Sequence, residues 1–115
     1  MKEDKVRQLS IRLTIELTEE CDKIKGRDVF VKQILRSCSS IGANSSEATY
    51  SQSNADFINK LQIALKECYE TEYWLEILLG VNALSEERYN YFKNICGNIR
   101  NKLIAAINTV QTKKI

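Results

Sequence analysis

The chain has 115 residues, no proline, four glycines and a formal net charge of +2. That length suits one domain around a single core, and the scarcity of turn residues argues against an all-β fold. Histidine is absent, which removes the commonest general base, the Ser/His and Cys/His nucleophile pairs, and the Glu-x-x-His ligands of di-iron bundles.

The first element is read as a helix over about 4–25. LSIRLTIEL, Leu9 to Leu17, alternates apolar and polar residues as a strand would. However, Val6, Leu9, Leu13, Leu17, Cys21 and Ile24 step by three or four, and no turn residue interrupts them. Gly26 is the expected stop. The same alternation gives this helix a second apolar side, formed by Ile11 and Ile15.

The second helix is expected over about 29–51 with Asp28 as its cap. Its inward stripe is Val31, Ile34, Cys38, Ile41, Ser45 and Ala48. The stretch SSIGANSSEA, Ser39 to Ala48, therefore falls inside a helix, where Gly42 costs about 1 kcal/mol relative to alanine. Small side chains let a neighbouring backbone come close, which makes the stretch a packing strip. A kinked segment is the alternative.

Ser53-Asn54-Ala55-Asp56 reads as a capping-box variant opening a third helix over about 54–79. Its inward stripe is Phe57, Leu61, Ala64, Leu65, Cys68, Leu75 and Leu79, with Gly80 as the stop. Ser85 caps a fourth helix over about 86–111, followed by Glu86 and Glu87 at the positive end of the helix dipole. Phe92, Cys96, Ile99, Leu103, Ile107 and Val110 form its stripe. Short connections make neighbours antiparallel, so the expected fold is all-α: an up-down-up-down four-helix bundle forming one domain over 1–115.

The four cysteines, Cys21, Cys38, Cys68 and Cys96, lack the close pairs of a zinc site and fall on the helical stripes, as small core hydrophobes do. No catalytic residue, metal ligand or cofactor motif emerges, and the protein is not expected to be an enzyme. No apolar run reaches bilayer length, and MKEDKVRQL carries acids where a signal peptide would be apolar, so a cytoplasmic protein with no membrane partner is expected.

Three features exceed a plain monomeric bundle. Glu72 falls within the third helix's inward stripe, where a carboxylate must be paired; a structural role outweighs a catalytic one because no second acid/base residue stands beside it. Ile63, Trp74 and Ile77 lie opposite that stripe and, with Ile11 and Ile15, give grouped outward apolar residues that fit a subunit contact. Charge is also segregated: only glutamates carry charge between residues 67 and 87, and only lysines and arginines from 88 onward. Antiparallel packing then sets Lys60, Lys102, Lys113 and Lys114 near the N-terminal Lys2, Lys5 and Arg7, giving one basic end suited to RNA or DNA phosphates.

ILRSCSSIGANSSEATYSQSNADFINKLQIALKECYETEYWLEIL, Ile34 to Leu78, resembles the four-helix-bundle proteins encoded in intervening sequences of bacterial 23S rRNA genes. Its specific parts are Arg36-Ser37, Ser40-Ile41-Gly42-Ala43-Asn44, Glu47, Asp56-Phe57, Ala64-Leu65-Lys66-Glu67 and Glu70-Thr71-Glu72-Tyr73-Trp74-Leu75. Where that family has an NIAEG run, this chain has Asn44-Ser45-Ser46-Glu47-Ala48. The resemblance implies a homo-oligomer, commonly a pentamer, and no catalytic residues. It also implies kinship with accessory proteins of diversity-generating retroelements, basic scaffolds that engage nucleic acid and a reverse transcriptase. Arg36, Ser40, Ala43 and Glu47 share the outward side of the second helix and are expected to meet a neighbouring subunit. The functional expectation is a non-enzymatic homo-oligomeric scaffold contacting nucleic acid; the alternative is a protein-interaction adaptor with no nucleic-acid role.

Overall fold

Apolar residues recurring every three or four positions set the helices of the computed structural model, which describes residues 5–113. They are α1 (Lys5–Cys21), α2 (Asp28–Ala48), α3 (Asn54–Gly80) and α4 (Glu86–Lys113). Each packs on its neighbours in the chain, and α1 closes the ring on α4. Among the described residues the diagonal pairs, α1 with α3 and α2 with α4, bring no Cα atoms within 8 Å of each other, and meet only through the core that all four helices share. The result is an all-α up-down-up-down bundle measuring 49 × 23 × 21 Å. Leu13, Ile34, Ile41, Leu75, Phe92 and Leu103 are among the fully buried side chains that fill it. All four cysteines are free and buried within this core, and burial pushes the Cys21 and Cys38 thiols up to about 11.

The helix ends differ from the sequence reading in instructive ways. α1 stops at Cys21, short of the expected residue 25. Ile24 then turns back to pack on the core, and Gly26 takes a positive φ of 73° to redirect the chain. Asp28 does not cap α2. The N-cap is Arg27, which makes no side-chain capping bond, and Asp28 sits in the first turn, where its charge opposes the positive end of the dipole. α2 ends at Ala48 rather than 51 because Thr49, Tyr50 and Ser51 tighten into turns whose amides reach back three residues.

The remaining ends are capped by side chains or backbone. Ser53 caps α3, its hydroxyl accepting from the Asp56 amide at 3.1 Å. Gly80 belongs to the helix; Asn82 makes the left-handed turn at φ 61°. The amides of Ala83 and Asn82 bond the carbonyls of Leu78 and Leu79 at 2.9 and 3.0 Å, a Schellman closure that asparagine can occupy. Ser85 accepts from the Arg88 amide at 3.1 Å, opening α4.

The inward face of α3 follows the expected stripe at Leu61, Ala64, Cys68 and Leu75 and departs from it elsewhere. Ile58, Thr71 and Leu78 are buried where Phe57, Glu72 and Leu79 were expected, because α3 is covered on two flanks, by α2 and by α4. Thr71 suits that position: its hydroxyl lies 2.9 Å from both the Ser37 hydroxyl and the Glu67 carbonyl. Ser37 is likewise fully buried, a core position that the α2 stripe did not include.

Candidate interaction surfaces

SSIGANSSEA forms an unbroken part of α2, and its small residues do different work on different sides. Facing the core, Ser45 is buried and returns its hydroxyl to the Ile41 carbonyl at 2.7 Å. Facing α1, Gly42 permits a close approach: a Cβ there would sit 3.1 Å from that of Ser10. Above this contact runs a shallow groove of about 290 Å³, lined by Ile11, Ile15, Ser39, Ala43 and Ser46 among others. Ile11 is 43% exposed and Ile15 is 55% exposed, so both outward isoleucines stand in solvent on its α1 side.

The α3 side of α2 is sealed by polar pairs. Arg36 bridges to Glu67 at 3.4 Å and to Glu70, while Lys60 pairs with Glu47 at 3.0 Å. Ile63 and Ile77 lie on this same α3 stripe and are half-buried. Trp74 does not stand outward as the sequence reading had it. It packs on the core edge, stacked on Phe30 at 6.1 Å between ring centroids, and donates from Nε1 to Glu70 at 3.2 Å. Ile11 and Ile15 thus flank α2 on one side, and Ile63, Trp74 and Ile77 flank it on the other. Between them lies the outward ridge of Arg36, Ser40, Ala43 and Glu47. The charged ends of Arg36 and Glu47 are already engaged by α3.

Glu72 sits beside Thr71 at the α3–α4 edge with 13% of its side chain exposed. Arg100 grips it with two bonds, Nε at 3.0 Å and Nη2 at 3.3 Å, a forked geometry that arginine provides. The Arg100 guanidinium also lies 5.7 Å from the Tyr69 ring centroid.

The α1–α4 flank carries a different chemistry. Arg12 donates to the Tyr91 hydroxyl at 2.8 Å, and Tyr91 donates to Glu16 at 2.5 Å, while Arg12 Nε closes the loop on Glu16 at 3.0 Å. The Tyr91 hydroxyl, with Arg12 and Arg88 adding to it, outweighs partial burial and holds the Glu16 carboxyl below its usual range. Toward the start of α1, a groove of about 440 Å³ is lined by Lys5, Gln8, Leu9, Arg12, Asn98 and Lys102.

The expected basic end is therefore divided. Lys5 and Lys102 meet in this groove, whereas Arg7 lines the α1–α2 groove and Lys60 is engaged by Glu47. Lys113 is the last residue of α4; Lys2 and Lys114 lie outside the described residues. Sequence reasoning missed Gln8, Arg12 and Asn98. The spacing Lys5, Gln8, Arg12 and the pair Asn98, Lys102 carried the signal, since three- and four-residue steps share one helix face. Among the described residues, no group of three His, Cys, Asp or Glu side chains is placed to hold a metal ion, and no helix is long and apolar enough to cross a membrane.

These features define a small all-α bundle whose distinctive residues lie on its outer seams rather than in a central cavity. The chain belongs to the 23S rRNA-intervening sequence protein family, whose model matches residues 2–105. It is similar to a protein of unknown function from the S23 ribosomal protein family of Bacteroides thetaiotaomicron VPI-5482, known from a crystal structure. The two are 43% identical with a TM-score of 0.83, over 89% of this chain and 97% of that one. No curated protein matches the chain.

Proposed function

We propose that this protein is a non-enzymatic homo-oligomeric scaffold that contacts nucleic acid through basic residues near one end of the bundle. The observation that carries the oligomer is the pair of exposed isoleucines, Ile11 and Ile15, beside a groove floored by small residues. Grouped apolar residues in solvent mark contact surfaces. The low ridge of α2 lets a second helical surface approach closely. A pentamer is the stoichiometry that the family resemblance implies.

Support for the nucleic-acid contact comes from α4, which carries Glu86 and Glu87 in its first turn and only positive charges thereafter. In a ring of parallel subunits, Lys5 and Lys102 would repeat around one face, and many weak phosphate contacts would act together. Sedimentation across a concentration series, followed by a mobility-shift assay with RNA and with DNA at low salt, tests both halves. An oligomer that shifts nucleic acid is expected. An oligomer that shifts neither leaves the protein-interaction adaptor as the function, and a monomer at every concentration removes the scaffold.

A further inference from the structure

The four helices are not held equally. α3 and α4 each bury six apolar side chains and α2 buries four, whereas α1 buries three, Leu13, Leu17 and Cys21, together with Ser10. Hydrophobic hold scales with the apolar area removed from water, so α1 is the helix least anchored by the core. Its two interfaces are also the smaller ones of the bundle. Toward α2 it makes the close approach of Ser10 to Gly42, and the Thr14 hydroxyl donates over a long 3.4 Å to the Cys38 carbonyl. The Ser10 hydroxyl buried in that seam has no partner. Toward α4 it is held by the Arg12–Tyr91–Glu16 chain and the Arg88–Glu20 pair. Arg12 has 52% of its side chain exposed and Arg88 38%, and bridges between such solvated groups add little stability.

The other three helices are joined to one another by bonds in which α1 has no part. Between α2 and α3, the Ser37 and Thr71 hydroxyls meet in the core at 2.9 Å, and Arg36 and Lys60 bridge to Glu67 and Glu47 outside it. Between α3 and α4, Arg100 grips Glu72, and the Cys68 Sγ lies 3.3 Å from the Cys96 carbonyl oxygen. The loop that joins α1 to α2 is exposed at Asp22, Lys23, Lys25, Gly26 and Arg27, and Gly26 takes the positive φ that turns the chain there. Elements with few buried apolar contacts and solvated bonds are the ones that open ahead of the rest.

We infer that α1 is a strap that opens as a unit about the 22–27 loop while α2, α3 and α4 stay packed, and that its opening uncovers Cys38. This goes beyond the function proposed above and does not rest on it. Each helix carries one buried cysteine, Cys21 on α1, Cys38 on α2, Cys68 on α3 and Cys96 on α4, so the chain holds a reporter for every element. Cys38 is fully buried, with Thr14 of α1 bonded to its carbonyl. Burial pushes its thiol up to about 11, and the Cys21 thiol likewise. The thiolate is the nucleophile, so at neutral pH Cys38 reacts with an alkylating agent from the open form.

The test is alkylation of the full chain with iodoacetamide at neutral pH, in urea below the unfolding transition, with each site read by peptide mass spectrometry. Cys38 should be modified about tenfold or more faster than Cys68 and Cys96. Its rate should also depend less steeply on urea, since opening one helix exposes less surface than unfolding the whole bundle. Tyr91→Phe removes bonds that exist only while α1 is docked and should speed Cys38 modification by about two- to fivefold. Arg36→Gln removes a bridge that persists in the open form and should leave the Cys38 rate within about twofold. Because alkylation of Cys38 itself loosens the core, hydrogen exchange of the unmodified protein gives a second reading: the amides from Arg12 to Glu20 should exchange ahead of those in the middle of α3 and α4. A common rate for Cys38, Cys68 and Cys96, no modification of Cys38 below the unfolding transition, or α1 amides protected as strongly as those of α3 would overturn the strap. A response to Arg36→Gln as large as that to Tyr91→Phe would overturn it too, by placing the opening in α2.

Discussion

The two flanks of α1 were built by opposite means. Toward α2 the helices meet through Ser10 and Gly42, and the surface above is apolar, with Ile11 and Ile15 in solvent. Toward α4 they are joined by a hydrogen-bonded chain from Arg12 through Tyr91 to Glu16, and Lys5, Arg12 and Lys102 line the groove beside it. Backbone proximity leaves a low, apolar seam that another protein surface can cover. Side-chain bridging leaves charged groups of both signs at the surface. One helix thus separates two kinds of surface on a bundle only 23 Å wide.

The largest effect should follow from filling the α1–α2 approach. Gly42→Leu places a side chain where even a Cβ would lie 3.1 Å from that of Ser10, and overpacking of this kind costs about 1–3 kcal/mol in urea unfolding. Gly42→Ala should be close to neutral, because a helix-propensity gain of about 1 kcal/mol offsets the tight contact. A Gly42→Leu protein as stable as wild type would show that the two helices do not approach so closely.

Next in size is the Ser10 hydroxyl, which is buried with no hydrogen-bond partner. An unpaired buried hydroxyl costs stability, so Ser10→Ala should raise the unfolding free energy by about 1 kcal/mol. A loss of stability instead would mean that the hydroxyl has a role at this seam that the helix contact alone does not explain.

The smallest effect belongs to the α1–α4 flank and depends on pH. Tyr91→Phe should cost less than about 1 kcal/mol at neutral pH. Because the Glu16 pKa is lowered in the folded protein, its contribution is present above the ordinary carboxylate value and is lost as pH falls through the lowered one. The stability gap between wild type and Tyr91→Phe should therefore narrow on acidification below about pH 4.5. A gap of constant size across that range would place the effect in ring packing rather than in the Glu16 bond.

The bundle was legible in the sequence because its evidence is periodic: stripes three and four residues apart, serines at the starts of α3 and α4, and short connections. The ends were less so. Nothing in the spacing of α1 announced that Ile24 would fold back, and the glycine at position 80 drew attention from Asn82, whose positive φ makes the turn. The face of α3 was read correctly at Leu61, Ala64, Cys68 and Leu75, but burial on two flanks widens the stripe to Ile58, Thr71 and Leu78, and Thr71 is accommodated there by the Ser37 hydroxyl and the Glu67 carbonyl. Trp74 was read as outward from its position on the helix, yet Phe30, far away in sequence, covers part of it. The surfaces were legible in type rather than in place. Exposed isoleucines and a basic bias could be read from the residues, but the partition of the cations between two grooves depends on which helices are adjacent in space.

The central claim, that the α1–α2 seam is a subunit contact, is tested most directly by the mass of the protein in solution. Light scattering should give a multimer for wild type and a smaller species for the double variant Ile11→Asp and Ile15→Asp. Both positions are exposed in the single chain, so helical content should be unchanged. A wild-type monomer, or a multimer that survives both substitutions intact, would contradict the assignment of this seam.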